Sequence, residues 1–154
     1  MRLLATREHS RLELERKLRR HETEPGELAR ALDALQTKGF IDEKRVVESV
    51  LHRRAGKLGA ARIRQELQDK GLPVQTIRDA MAGLQGSELA RARAVWHKKF
   101  AATQLPDASG AARAADAADR ARQIRYLAAR GFGGDTIRRV VSGAGDWLDE
   151  PTID

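Results

Sequence analysis

The 154-residue chain contains no cysteine, four prolines and only 4% aromatic residues. Without cysteine there is no disulfide framework, no thiolate zinc site and no thiol nucleophile. A membrane-spanning helix needs about 18 consecutive apolar residues, and the sequence has no such run. The N-terminus meets Arg7, Glu8 and His9 before an apolar stretch of signal-peptide length can form, which argues against a secretory leader. The apolar start at Leu3 and Leu4 leaves room for residues upstream of Met1. Abundant Leu, Ala, Arg and Glu beside so few aromatics predict helices packed through aliphatic stripes. A core that thin predicts an extended array of small helical units rather than one deep globule.

Charge is plentiful and uneven. One residue in three is charged, and Lys plus Arg exceed Asp plus Glu by 29 to 22, for a net charge of +7. The excess is +3 over residues 1–55 and +5 over 56–100, and the balance is −1 over 101–154. Asp146, Asp149, Glu150 and Asp154 form an acidic tail, and the body without them carries +11. Such a body favours polyanions or acidic protein surfaces.

Helix punctuation is dense. Ser10 and Glu13 have capping-box spacing ahead of Leu14 and Leu18. Pro25 fits the first turn of a second helix that ends at Gly39, and Asp42 can cap a third. A fourth helix runs from Gly59 to Gly71, and a fifth starts near Pro73. Ser87 caps a sixth that ends near Phe100, with Trp96 and Phe100 packed inward. Ala111 to Arg130 forms a seventh, and Asp135 caps an eighth. No stretch alternates with period two, so strands are not expected.

Three helix stops share one chemistry: Lys38-Gly39-Phe40, Lys70-Gly71-Leu72 and Arg130-Gly131-Phe132. The glycine can take the left-handed conformation, the cation favours the helix C-terminus, and the apolar residue folds back. Around them the sequence repeats. Leu67, Gly71, Leu72, Ile77 and Met81 recur sixty residues later as Leu127, Gly131, Phe132, Ile137 and Val141. Leu14, Leu18, Leu28, Leu32 and Leu35 fall on Ile63, Leu67, Ile77, Met81 and Leu84 with a shift of forty-nine. The expected division is a first repeat over 1–56, a second over 57–100 and a third over 119–143. An Ala-rich linker or extended helix spans 101–118, and the acidic tail covers 144–154.

Catalysis has little support. His9, His21, His52 and His97 are scattered without metal-ligand spacing, and no phosphate-binding glycine loop occurs. Carboxylates stand beside cations at helical separations, as Glu13 and Lys17 do, which is the pattern of a solvated face. The expectation is therefore no enzyme, no metal and no cofactor. Clustered cations offer more. Arg53, Arg54, Lys57, Arg62, Arg64, Lys98, Lys99, Arg138 and Arg139 recur near repeat ends and would track a phosphate backbone or an acidic groove. Arg62 to Met81 also has the outline of a helix-turn-helix in which Gln75, Thr76 and Arg78 would face bases. The recurrence of that outline near 127–141 favours a repeat unit. Trp147 either folds onto the last repeat or serves as an exposed partner-binding residue.

The segment GFIDEKRVVESVLHRR from Gly39 to Arg54, followed by GAARIRQELQDKGL from Gly59 to Leu72, resembles the signature of the RecX regulatory proteins. The matching residues are Gly39, Phe40, Ile41, Asp42, Glu43, Arg45, Gly59, Arg62, Ile63, Glu66, Leu67, Lys70 and Gly71. Leu3 to Leu18 is similar to the family's first helix, and Tyr126 to Phe132 to its last repeat. The resemblance implies an all-α protein of three tandem three-helix repeats in an elongated, curved array. It implies a cytoplasmic, monomeric negative regulator that binds the RecA–DNA filament and inhibits ATP hydrolysis, strand exchange and coprotease activity. Its other partner would be single- or double-stranded DNA, held weakly and without sequence preference, and a membrane would not be one. The rival expectation is a stand-alone helix-turn-helix DNA-binding regulator.

Overall fold

The computed structural model of the chain describes residues 6–101 and 112–143, the side chains of 112–116 excepted. The expectations for Met1, for Pro106 to Gly110, for Trp147 and for the acidic tail concern residues outside these ranges. Every helix or strand assigned among the described residues is a helix. In chain order these are α1 (Arg11–Leu18, extended by a 3-10 turn over Arg19–His21), α2 (Glu27–Thr37), α3 (Glu43–Arg54) and α4 (Ala60–Asp69). Then come α5 (Val74–Gln85), α6 (Glu88–Phe100), α7 (Ala112–Ala129) and α8 (Gly134–Ser142). The expected all-α class is what the chain adopts.

Two of the expected start signals form as read from the sequence. The Glu13 amide donates to Ser10 Oγ at 3.2 Å and the Ser10 amide donates to Glu13 Oε2 at 2.9 Å, a complete capping box. Asp42 Oδ1 accepts from the amides of Lys44 and Arg45 at 2.8 and 3.2 Å and caps α3. Three start expectations need correction. Pro25 lies outside α2, because Gly26 at φ +83° turns the chain and occupies the N-cap, held by Glu22 Oε1 through its amide at 2.9 Å. Ser87 sits at the N-cap of α6 without capping it, since its hydroxyl donates to the Leu84 carbonyl and accepts from Arg91 Nε. Asp135 lies one residue inside α8 and pairs with Arg138, while Gly133 is the N-cap.

All three glycine stops take the predicted left-handed turn. Gly39, Gly71 and Gly131 have φ of +74°, +70° and +82°. In each, two amides reach back to the last turn. Phe40, Leu72 and Phe132 donate to Leu35, Leu67 and Leu127, while the glycines donate to Gln36, Gln68 and Ala128. That double bond is the Schellman pattern, which satisfies carbonyls the helix leaves unpaired. Leu72 and Phe132 fold into the core, but Phe40 stays 45% exposed and Ile41 takes the buried place.

The described helices form two compact units, residues 6–54 with 63–83, and residues 55–62 with 84–101 and 112–143. In the first, Leu14, Leu32 and Ile41 form a cluster joined by Leu18, Leu28 and Leu35. Val46, Val50, Ile63, Leu67, Ile77 and Met81 are also buried there. In the second, Val95, Trp96, Phe100, Leu127, Ile137 and Val140 lie in one core cluster, and the Trp96 indole N–H donates to buried Gln123 at 2.8 Å. Trp96 and Phe100 thus pack inward as expected.

The first unit also holds a half-buried ionic knot. Lys70, buried beside its glycine stop, places Nζ 2.7 Å from Glu13 Oε1, and Arg7 Nη2 lies 3.0 Å from the same oxygen. Glu13 therefore pairs with Lys70 and Arg7, and the expected helical pair with Lys17 does not form. Lys17 instead reaches buried His9, whose Nδ1 donates to the Arg7 carbonyl at 2.9 Å and whose Nε2 accepts from Nζ at 3.0 Å. Burial above all pulls the His9 pKa down. For Glu13, burial alone would raise the carboxyl, but hydrogen bonds from Lys70, the Ser10 amide and Arg7 overcome it and hold the group at about 2. A carboxylate depressed in the folded state contributes stability above its unfolded pKa, which is lost as pH falls toward the folded value. Stability contributed by Glu13, up to about 3 kcal/mol, should therefore fade between pH 5 and pH 2. Urea unfolding of Glu13→Gln beside the parent chain tests this. The variant should be weaker at pH 7 by about 2–3 kcal/mol, with the gap closing toward pH 2. A gap independent of pH would contradict it.

Candidate nucleic-acid interface

A helix that buries one stripe must turn its charged residues outward, and this rule places most of the expected cations. In α6, Ala92, Val95, Trp96 and Phe100 point inward, so Lys98 and Lys99 are exposed. In α8, Ile137, Val140 and Val141 are buried, so Arg138 and Arg139 face solvent. In α3, Val46, Val47 and Val50 are buried and Arg53 and Arg54 end the helix exposed. Lys57 is exposed in the connection to α4, and Arg62 and Arg64 are exposed on α4.

Partners divide these nine residues into groups. Arg54 is neutralised by Glu66, Nε to Oε2 at 2.9 Å, and Arg138 by Asp135. Arg53 Nε donates to the Ser49 carbonyl at 3.0 Å, within its own helix. Lys57, Arg64, Lys98, Lys99 and Arg139 form no ion pair among the described residues. An exposed cation without an internal carboxylate can neutralise a phosphate with no pair to break. Within the second unit Lys57, Lys98, Lys99 and Arg139 have this property, and within the first Arg64 has it.

Arg62 has a second occupation. Its Nε donates to the Ala129 carbonyl at 3.3 Å, and its backbone and Cγ lie against Gly131, where an added Cβ would meet Arg62 N at 2.6 Å. The first turn of α4 sits directly on the end of α7. The Gly59 amide donates to the Arg130 carbonyl at 2.8 Å and the Ala61 amide to Gly131 at 3.2 Å, while the Ala60 amide donates to Glu88. Amides at the start of α4 thus meet carbonyls at the end of α7 that have no partner within their own helix. Arg91 secures the loop carrying Lys57 by donating to the carbonyls of Ala55 and Leu58 at 3.0 and 2.8 Å.

The sequence reading missed two exposed arginines on α7, Arg120 and Arg125. Both flank the inward Gln123 and Leu127, and that stripe was the available signal. Arg122 between them is paired with Asp119 at 3.2 Å, and Arg130 lies 3.5 Å over the Tyr126 ring. The helix-turn-helix candidates are otherwise engaged. Gln75 donates to Asp79 at 2.8 Å, Arg78 donates to Gln75, and half-buried Thr76 turns to Glu43. Among the described residues no group of three or more His, Asp or Glu could hold a metal ion. No described helix is long and apolar enough to cross a membrane.

Glycine-closed helical corners dressed with outward cations define a class, the all-α proteins assembled from three-helix domains. Residues 42–81 match the family model for the second three-helix domain of RecX, and residues 87–141 that for the third. The chain is 48% identical over 141 residues to the regulatory protein RecX of Leptothrix cholodnii, covering 92% of this chain and 83% of the relative. It is 40% identical over 147 residues to that of Ralstonia pickettii, covering 96% and 86%. A crystal structure of RecX from Lactobacillus salivarius superposes with a TM-score of 0.68 at 21% identity, covering 96% and 90%, and supports the fold. The chain belongs to the RecX family of regulatory proteins.

Neutralising each phosphate on a single strand contributes about 0.7 to the slope of log affinity against log salt. Lys98→Gln with Lys99→Gln should therefore reduce that slope by about 1.4, measured by fluorescence anisotropy on an oligonucleotide. Arg54→Gln, which removes a cation already paired with Glu66, should change it little. Equal slopes for all three proteins would place the interface elsewhere.

Proposed function

We propose that this chain is a non-enzymatic negative regulator of the RecA recombinase. In this reading it binds the RecA–DNA filament, along its groove or at its end, and inhibits ATPase, strand-exchange and coprotease activities. DNA repair and the SOS response would be modulated as a result. The chain needs no cofactor and no membrane for this, acts in the cytoplasm as a monomer, and holds DNA weakly without regard to sequence.

Membership of the RecX family carries the reading. The exposed, carboxylate-free cations Lys57, Arg64, Lys98, Lys99 and Arg139 support it, with Arg53 contributing charge at the end of α3. Arg62 supports the site by holding the first turn of α4 to the Ala129 carbonyl, and Arg54 and Arg138 would have to exchange Glu66 and Asp135 for a phosphate. Scarce aromatics leave few rings for base stacking, so phosphate contacts dominate. The helix-turn-helix rival is weakened because Gln75, Thr76 and Arg78 are already hydrogen-bonded to Asp79, Glu43 and Gln75.

RecA-catalysed ATP hydrolysis on single-stranded DNA, titrated with this protein, tests the proposal. The rate should fall toward background as the protein saturates the filament. A rate unchanged at saturation would overturn it.

A further inference from the structure

Carboxylates outnumbered by cations normally settle beside them, yet one face of the first unit gathers three that do not. Helices α3 and α5 bound a groove of about 310 Å³. Buried Val47 and half-buried Ala80 and Thr76 form its floor, and Glu43, Glu48 and Asp79 stand along its sides. Thr76 Oγ1 donates to Glu43 Oε2 at 3.4 Å and joins the two helices at one end. Among the described residues Asp79 accepts only from the neutral Gln75 amide, and Glu48 is exposed. None of the three is in an ion pair among the described residues, and Lys44 is the one cation in the lining. The groove therefore carries about −2 on a chain of +7.

Charge and shape together choose the occupant. A lining of that sign repels phosphates, so nucleic acid is excluded from this face. The floor is largely apolar, with Val47 from α3 and small Ala80 from α5, so an aliphatic side chain can seat there. The volume is at the small end of ligand pockets, enough for an anchoring side chain with its neighbours. We infer that the α3–α5 groove docks a basic amphipathic segment of a protein partner. Its aliphatic anchor sits over Val47 and Ala80, and its Lys or Arg side chains pair with Glu43, Glu48 and Asp79. Placing that segment on the recombinase rests on the filament reading above. The cations named earlier would then serve the nucleic acid, while this groove serves the protein of the same nucleoprotein.

The test uses the full chain, a RecA filament on a labelled single-stranded oligonucleotide, and the naked oligonucleotide. Two double variants are compared with the parent: Glu48→Lys with Asp79→Lys, and the charge-neutral Glu48→Gln with Asp79→Asn. Both positions are exposed, and circular dichroism checks that helix content is kept. The Lys pair should bind the filament at least tenfold more weakly, and the neutral pair several-fold more weakly. Both should bind the naked oligonucleotide as well as the parent or better. Filament binding by the parent with undiminished binding by both variants would overturn the groove and leave the filament reading standing. A loss on filament and naked oligonucleotide alike would also overturn the groove. No filament binding by the parent would overturn the filament reading, and this assignment with it.

Discussion

The left-handed glycine that ends a helix is the constraint on which the remaining structure depends. It occurs at Gly39, Gly71 and Gly131, each time with the same pair of amide bonds back into the last turn. At two of these positions an added side chain would meet a neighbour. A Cβ at Gly71 would lie 2.6 Å from Leu12 Cδ2, and one at Gly131 as close to the Arg62 amide nitrogen. The corner therefore does two things. It reverses the chain within two residues, and it presents bare backbone to a neighbouring helix. At Gly131 the neighbour is the start of α4, whose amides take the carbonyls that α7 cannot use. Gly59 completes that junction from the other side, since its own Cβ would fall 2.2 Å from the Gly131 carbonyl oxygen.

Closing the corners this way divides the cations into two populations. Some are structural: Lys70 and Arg7 hold Glu13, Arg91 holds the Ala55–Leu58 loop, and Arg62 lies across the end of α7. Others are left outside because an apolar stripe occupies the opposite side of their helix, as with Lys98 and Lys99 on α6 and Arg139 on α8. A net charge of +7 does not distinguish them. The distinction lies in which carboxylates and carbonyls each one meets.

Legibility in the sequence followed the range of the interaction. Ser10 with Glu13, Asp42, and the three glycine stops involve residues at most six apart, and all were readable. The inward places of Trp96 and Phe100 followed from helical spacing. Pro25, Ser87 and Asp135 were misread because each is a good local signal that a nearby residue overrides: Gly26 with its positive φ, Arg91 competing for the hydroxyl, Arg138 drawing the carboxylate. Lys70 was assigned to a helix dipole, when its partner Glu13 lies 57 positions earlier. The α3–α5 groove was invisible for the same reason, since its two sides are about thirty residues apart and share no periodic signature.

In the proposed reading, exposed, carboxylate-free lysines meet the nucleoprotein while the buried one does not. Amine acylation footprinting of the full chain, with and without RecA filaments on single-stranded DNA, addresses it residue by residue. Lys57, Lys98 and Lys99 should lose reactivity several-fold when filaments are added, and Lys70, buried against Glu13, should react slowly in both states. Unchanged labelling of Lys57, Lys98 and Lys99 on saturated filaments would contradict the account.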